Sequence, residues 1–236
     1  MVARSPRYGH SKWNPDLYYM PNRRLINLLC WVTLLGFTGL GELILQWTQD
    51  RSLLDLLHQG WAWYWQIVLG AVVGWAGGML AKWIIAARFM AAVRVEYLSM
   101  IRQLRLRKAE VLFLSFCAGF GEECLFRGAV QPWLGIWLTA IVFVAIHGYL
   151  NPLDWRISVY GGIMVFFIAL LGYLFEQVGP FTAITAHFLF DVLLLWQPSQ
   201  QRLQPFDSTT PTPNLLDDWK EIKPPELPSE DDLKKN

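Results

Sequence analysis

A succession of long apolar runs constrains this chain more than any other feature. Residues 25–47, 61–87, 111–133, 133–150, 157–175 and 181–196 are each dominated by apolar side chains. About 20 such residues cross a hydrocarbon core of about 30 Å as a helix rising 1.5 Å per residue. In lipid every backbone polar group must be satisfied within the protein, so continuous apolar runs of this kind read as helices. The expected fold is all-α, a polytopic transmembrane helix bundle of about six spans. Composition agrees: 54% of residues are hydrophobic and 17% charged, whereas a soluble domain carries about 25% charge.

Charge is unevenly placed. Arg4, Arg7, Lys12, Arg23 and Arg24 crowd the start, and Arg88, Arg94, Arg102, Arg105, Arg107 and Lys108 form a second block. Basic blocks beside apolar spans mark the cytoplasmic side. Nucleic acid is the weaker reading, because no recognition motif accompanies the charge. Six spans with a basic amino end put both termini in the cytoplasm, with the second block and Arg156 on the same side. Residues 1–22 read as a cytoplasmic arm, 23–197 as the transmembrane domain, and 198–236, rich in proline and acid, as a disordered tail.

The segment 88–108, with Val93, Leu98, Ile101 and Leu104 among its arginines, reads as an amphipathic interfacial helix. The first apolar run lacks a small-x-small cleavage site and reads as an uncleaved span. Gly70, Gly74 and Gly78 recur every four residues and allow close helix approach. Cys30, Cys117 and Cys124 have neither metal-ligand nor disulfide spacing and read as packing. The lipid bilayer is the partner that composition requires. A bacterial inner membrane is the default location and a plastid or thylakoid membrane the alternative; the oligomeric state is not legible.

The third run is interrupted by Gly121-Glu122-Glu123-Cys124-Leu125-Phe126-Arg127-Gly128. On insertion scales a charge at the centre of a membrane helix costs about 2.5–3.5 kcal/mol, so three unpaired ones approach roughly 10 kcal/mol. They need partners, water or both. Glu123 and Arg127 are four apart and share a helical face, while Glu122 is rotated by about 100° from Glu123 and points elsewhere. Further polar residues follow in later spans: His147, with Phe143 one turn before it, and His187 with Asp191 one turn after it. A lone intramembrane histidine is commonly an interhelical hydrogen-bonder. A double glutamate, two histidines and an aspartate on three core spans point instead to a site.

In that site Glu122 is the candidate general base toward water, if partial burial brings it into range. His147 holds the water or shuttles its proton, and His187 stabilises an oxyanion with Asp191 orienting it. Glu123 and Arg127 are the supporting ion pair, and Phe143 walls His147 from lipid. No cofactor or metal is expected. One depth does not match: with a span starting near Glu110 and a turn at Pro132, Glu122 lies about 18 Å deep while His147 is much shallower.

These residues resemble the CPBP (CAAX protease and bacteriocin-processing, Abi) family of intramembrane glutamic endopeptidases. The resemblance rests on Glu122-Glu123-Cys124-Leu125-Phe126-Arg127, Phe143-Val144-Ala145-Ile146-His147, and His187-Phe188-Leu189-Phe190-Asp191, in that order, over about residues 111–197. It implies metal-independent hydrolysis of a membrane-associated protein or peptide, with Glu122, His147, His187 and Asp191 catalytic. Asparagine is commoner than aspartate at the last position in the prenyl-protein branch. Two alternatives stay open: a zinc metallohydrolase, although no His-Glu-x-x-His helix is present, and a non-catalytic scaffold, immunity protein or transporter using the same buried charges.

Overall fold

The structure is a computed structural model that describes residues 23–200. The expected arm at 1–22 and the tail from 201 onward lie outside the described residues. Within them every regular element is helical. Helix α1 covers Arg23–Gln49, α2 Leu53–Leu57, α3 Trp63–Ala86, α4 Ala91–Leu104, α5 Lys108–Ile146, α6 Trp155–Gln177 and α7 Pro180–Gln200.

Four runs among the described residues are long and apolar enough to cross a membrane: α1, α3, α5 and α6; Pro180–Trp196 within α7 is a shorter apolar helix. The count differs from the six runs expected because Lys108–Ile146 is one element, which turns at Gly135 rather than at Pro132, and because the last run is the shorter one. Pro132 lies inside the continuous helix, just after the π-helical residues Cys124–Val130 and in the last turn before the break. The break comes at Gly135, at φ 72° and ψ 168°, a left-handed conformation that glycine adopts without strain. There α5 doubles back on itself, so Phe126 meets Phe143 edge-to-face with centroids 5.0 Å apart.

This turn removes the mismatch in depth. Glu122 lies 13 residues before Gly135 and His147 lies 12 after it, distances of about 20 and 18 Å along helices rising 1.5 Å per residue. The two side chains are level. The returning limb, 136–146, is only 11 residues long, roughly half the 30 Å of a hydrocarbon core.

Two stretches of π-helix occur in α1 and α5, and each packs mainly on the α-helical part of the other helix. Val32–Phe37 interrupts α1 and Cys124–Val130 follows Glu123 in α5. Phe37 contacts Phe126 edge-to-face at 6.5 Å. At Gly121 the backbones of α5 and α1 touch, and a Cβ there would lie 3.2 Å from the Leu34 Cα. The wider π turn buries Cys124 through Ala129, including Arg127, and such insertions concentrate at functional sites.

The most extensive helix pairing is α3 with α7, made through the small face expected from the glycine spacing. A Cβ on Gly74 would lie 2.8 Å from the Ala186 Cα. Gly74→Leu is therefore expected to cost about 1–3 kcal/mol through overpacking, read as a lower unfolding midpoint in detergent. Gly39, where a Cβ would meet nothing within 4 Å, is the control, and Gly39→Leu should leave the midpoint in place.

At one end of the bundle Trp61 donates its backbone N–H to the Val178 carbonyl at 2.8 Å. Buried Gln66 bridges Gln59, Trp61 and Phe181 there. In the adjacent loop Asp55 and Ser52 form a capping box, and the Ser52 hydroxyl holds the Asp55 carboxyl below its ordinary range. The other end gathers Phe89 stacked on Trp155 at 5.9 Å, Lys108 over the Trp196 ring at 5.5 Å, and Arg23 paired with Glu110 at 3.4 Å. The expected helix at 88–108 is seen there as a short turn, Arg88–Met90, followed by α4, with Ile101 buried.

Helix α7 runs to Gln200, past the boundary expected at 197, with Pro198 in its last turn. Pro198 has no N–H for the Leu194 carbonyl, and the Tyr97 hydroxyl donates to that oxygen at 3.3 Å. The partner supplied by α4 makes a proline tolerable at this position.

Candidate active site

The charged cluster sits where α5, its returning limb and α7 meet. Glu123 is fully buried, and its Oε1 lies 3.0 Å from Arg127 NH1. The same oxygen accepts from His187 Nδ1 at 2.7 Å. The Arg127 guanidinium lies over Phe143, 4.6 Å from the ring centroid. Phe143 is itself buried, packed against the His147 ring at 4.4 Å and edge-on to His187 at 5.9 Å. Arg127, Glu123 and Phe143 thus form a scaffold that fixes both imidazoles.

The ring orientations follow from their hydrogen bonds. His147 Nδ1 lies 2.7 Å from the Phe143 carbonyl oxygen; a carbonyl only accepts, so Nδ1 carries the proton. His187 Nδ1 donates to the Glu123 carboxylate. In both rings Nε2 is left facing Glu122 Oε2, at 3.6 Å from His147 and 3.9 Å from His187. Asp191 Oδ2 stands 3.7 Å from His187 Nε2. These separations exceed a direct hydrogen bond and suit a bridging water or a reacting group between the partners. Glu122 Oε2 is buried and has no hydrogen-bond partner among the described residues.

The four groups border one cavity of about 210 Å³. Its remaining wall is largely apolar and aromatic, with Tyr97, Tyr149, Tyr160, Phe167 and Phe190 prominent. His147 is the most open of the four, with a third of its side chain exposed; Asp191 is 21% and Glu122 14% exposed.

Sequence spacing anticipates the Glu123–Arg127 pair and the separate direction of Glu122. It assigns to Asp191 the task of orienting His187. In the structure Nδ1 donates its hydrogen bond to Glu123, 64 residues away, a link that no local spacing reveals. Phe143 lies between Arg127 and His147 rather than between His147 and lipid. The tyrosines of the cavity wall carry no signal in the sequence; Tyr149 stacks parallel to His147 at 6.3 Å and meets Tyr160 edge-on at 5.3 Å. Among the described residues no group of three or more His, Cys, Asp or Glu has the geometry of a metal site.

Residues 106–193 match the family model of type II CAAX prenyl endopeptidase Rce1-like proteins, and that interval holds every residue of the site on α5 and α7. This segment is similar to the CPBP family. The chain also resembles an uncharacterized protein of Bacillus subtilis, YpbD, at 38% identity over 90 residues. The match covers 37% of this chain and 44% of that protein, so it spans less than half of the relative's length. No solved structure matches the chain. Four helices apolar and long enough to cross a membrane, together with this similarity, mark an integral membrane protein.

Proposed function

We propose that the protein is an intramembrane, metal-independent peptidase in which Glu122 activates water to cleave a membrane-associated protein or peptide. The observation that carries this reading is the convergence of both imidazole Nε2 atoms on the unpartnered Glu122 Oε2, at 3.6 and 3.9 Å, inside one cavity. A general base needs an oxygen free to take a proton and a water held beside it. Glu122 supplies the first. His147, whose Nδ1 proton is committed to the Phe143 carbonyl, offers Nε2 as an acceptor that holds the water.

In the proposed reaction Glu122 removes a proton from water as its oxygen bonds to the scissile carbonyl carbon. Doubly protonated His187, anchored through Nδ1 to Glu123, donates from Nε2 to the oxyanion that forms. Collapse of the tetrahedral intermediate breaks the C–N bond, and Glu122 returns its proton to the departing amine. Asp191 and Glu123 balance the imidazolium charge. The end of the bundle holding Arg23, Arg88 and Lys108 faces the cytoplasm under the positive-inside rule, and the membrane is a bacterial cytoplasmic (inner) membrane.

The reading is tested by incubating the purified protein in lipid nanodiscs with membrane-inserted peptides and identifying products by mass spectrometry. Turnover should persist in EDTA and in 1,10-phenanthroline, and no metal should copurify in stoichiometric amount. Zinc lost together with activity would overturn the metal-independent mechanism in favour of a metallohydrolase.

A further inference from the structure

His147 is the most open member of the site, with a third of its side chain exposed, yet the proposed reaction needs its Nε2 aimed at Glu122. The torsion that turns an imidazole is broad and roughly two-fold, so the ring keeps one orientation only where its neighbours impose it. The Phe143 carbonyl, 2.7 Å from Nδ1, and the Phe143 ring, 4.4 Å away, both come from the preceding helical turn. The following residues supply Tyr149, whose ring is parallel to the imidazole within 6°, with centroids 6.3 Å apart.

Tyr149 is brought there by the way the helix ends. Gly148 takes φ 78°; its N–H donates to the Ala145 carbonyl at 2.9 Å, and the Tyr149 N–H donates to the Val144 carbonyl at 3.2 Å. This pair of bonds is a Schellman cap, in which a left-handed glycine folds the next residue back over the last helical turn. The backbone of Tyr149 then rests on α6 at Gly161, where a Cβ would lie 2.7 Å from the Tyr149 carbonyl carbon. Beside Gly161, buried Tyr160 meets the Tyr149 ring edge-on at 5.3 Å. Aromatic pairs of this kind favour the seated arrangement by about two- to tenfold.

We propose that Tyr149 is a positioning residue: its ring, seated by Gly148 and Gly161, holds the His147 imidazole in the orientation that presents Nε2 to Glu122 and the attacking water. This deepens the peptidase reading, on which its kinetic half rests. The aromatic ring carries the role, so phenylalanine should replace tyrosine and an aliphatic side chain should not.

The test uses the full chain in lipid nanodiscs, labelled with nitrogen-15 histidine, as wild type, Tyr149→Phe, Tyr149→Leu and Gly161→Ala. At about pH 8 an ordinary imidazole is neutral, and its nitrogen shifts show which ring nitrogen carries the proton; the His147 signals are those lost in His147→Gln. The wild type and Tyr149→Phe should show a single tautomer, protonated at Nδ1. Tyr149→Leu and Gly161→Ala should show the Nε2-protonated form as well. With a membrane-inserted peptide their kcat should fall by about 10–100-fold while KM stays within about twofold, because a misplacement of about 1 Å has a cost of that order.

A Tyr149→Leu spectrum like that of the wild type overturns the proposal. So does an unchanged kcat beside a changed spectrum, or a phenylalanine variant as impaired as the leucine one. Should Tyr149→Leu fail to fold, Gly161→Ala decides, since it keeps the tyrosine and shifts only its seat. Changed spectra in a protein that cleaves no peptide support the positioning of His147 and sink the peptidase reading. Cleavage by all four proteins at the wild-type rate does the reverse.

Discussion

Glu122→Gln is expected to lower the cleavage rate by about 10²–10⁴-fold, the usual loss on removing a positioned general base, while leaving the unfolding midpoint where it was. The two halves of this expectation have separate structural causes. Glutamine keeps the shape of glutamate but cannot take the proton from water. The fold does not depend on the lost charge, because Glu122 Oε2 makes no hydrogen bond within the described chain and its carboxylate is not in the Arg127 ion pair. His187→Ala should also reduce turnover, by removing the oxyanion donor, and it additionally strips Glu123 of a 2.7 Å hydrogen bond. Rates are read from product peptides in nanodiscs and stability from thermal unfolding in detergent. Full turnover in Glu122→Gln would end the proposed mechanism and favour a scaffold or immunity role, especially if that variant also keeps full function in cells.

Arg127→Leu should act in the opposite sense, on the fold first. The guanidinium and the Glu123 carboxylate are both excluded from solvent, 3.0 Å apart. Taking away one member leaves the other as an unpaired charge in an apolar interior, a loss of about 3–5 kcal/mol, which is a large part of a typical folding free energy of about 5–15 kcal/mol. Replacing both by leucine should recover most of that stability, since an apolar pair of similar volume avoids the desolvation of the ions. It should not recover activity, because His187 would have lost the Glu123 oxygen that fixes its ring. Denaturant titration of the three proteins gives the comparison. A loss below about 1 kcal/mol in the single variant would show that the pair is not isolated from water as its burial indicates.

How much of this is legible in the sequence depends on the distance over which each contact is made. Glu123 and Arg127 are one turn apart, so helical periodicity alone pairs them and sets Glu122 aside. The apolar runs point to the all-helical class, and Gly70, Gly74 and Gly78 mark the face on which α7 packs. The turn of α5 lies three residues beyond its expected place because two residues compete as breakers there. Pro132 is the stronger breaker by residue type, but the chain stays helical through it, and the reversal needs a positive φ, which Gly135 supplies.

The role of Glu123 toward His187 is out of reach for a different reason. Its partner belongs to another helix, and Asp191, one turn from His187, is the nearer choice by local spacing. The π-helical turn at Cys124–Val130 also leaves no local mark; what it packs against is Thr38–Gln49 of α1, far away in the chain. Tyr97, Tyr149 and Tyr160 read as ordinary aromatic residues until α4, the loop after His147 and α6 bring them to one wall.

The short returning limb of α5 has a consequence for the surrounding lipid. Its 11 residues reach only about half-way through a bilayer core, so acyl chains beside it must shorten, tilt away or give place to water. A limb this short would thin the local membrane on that flank and bring the headgroup boundary toward His147. A peptide bond arriving along the bilayer would become hydrated there at a depth where, elsewhere around the bundle, it would still be dry.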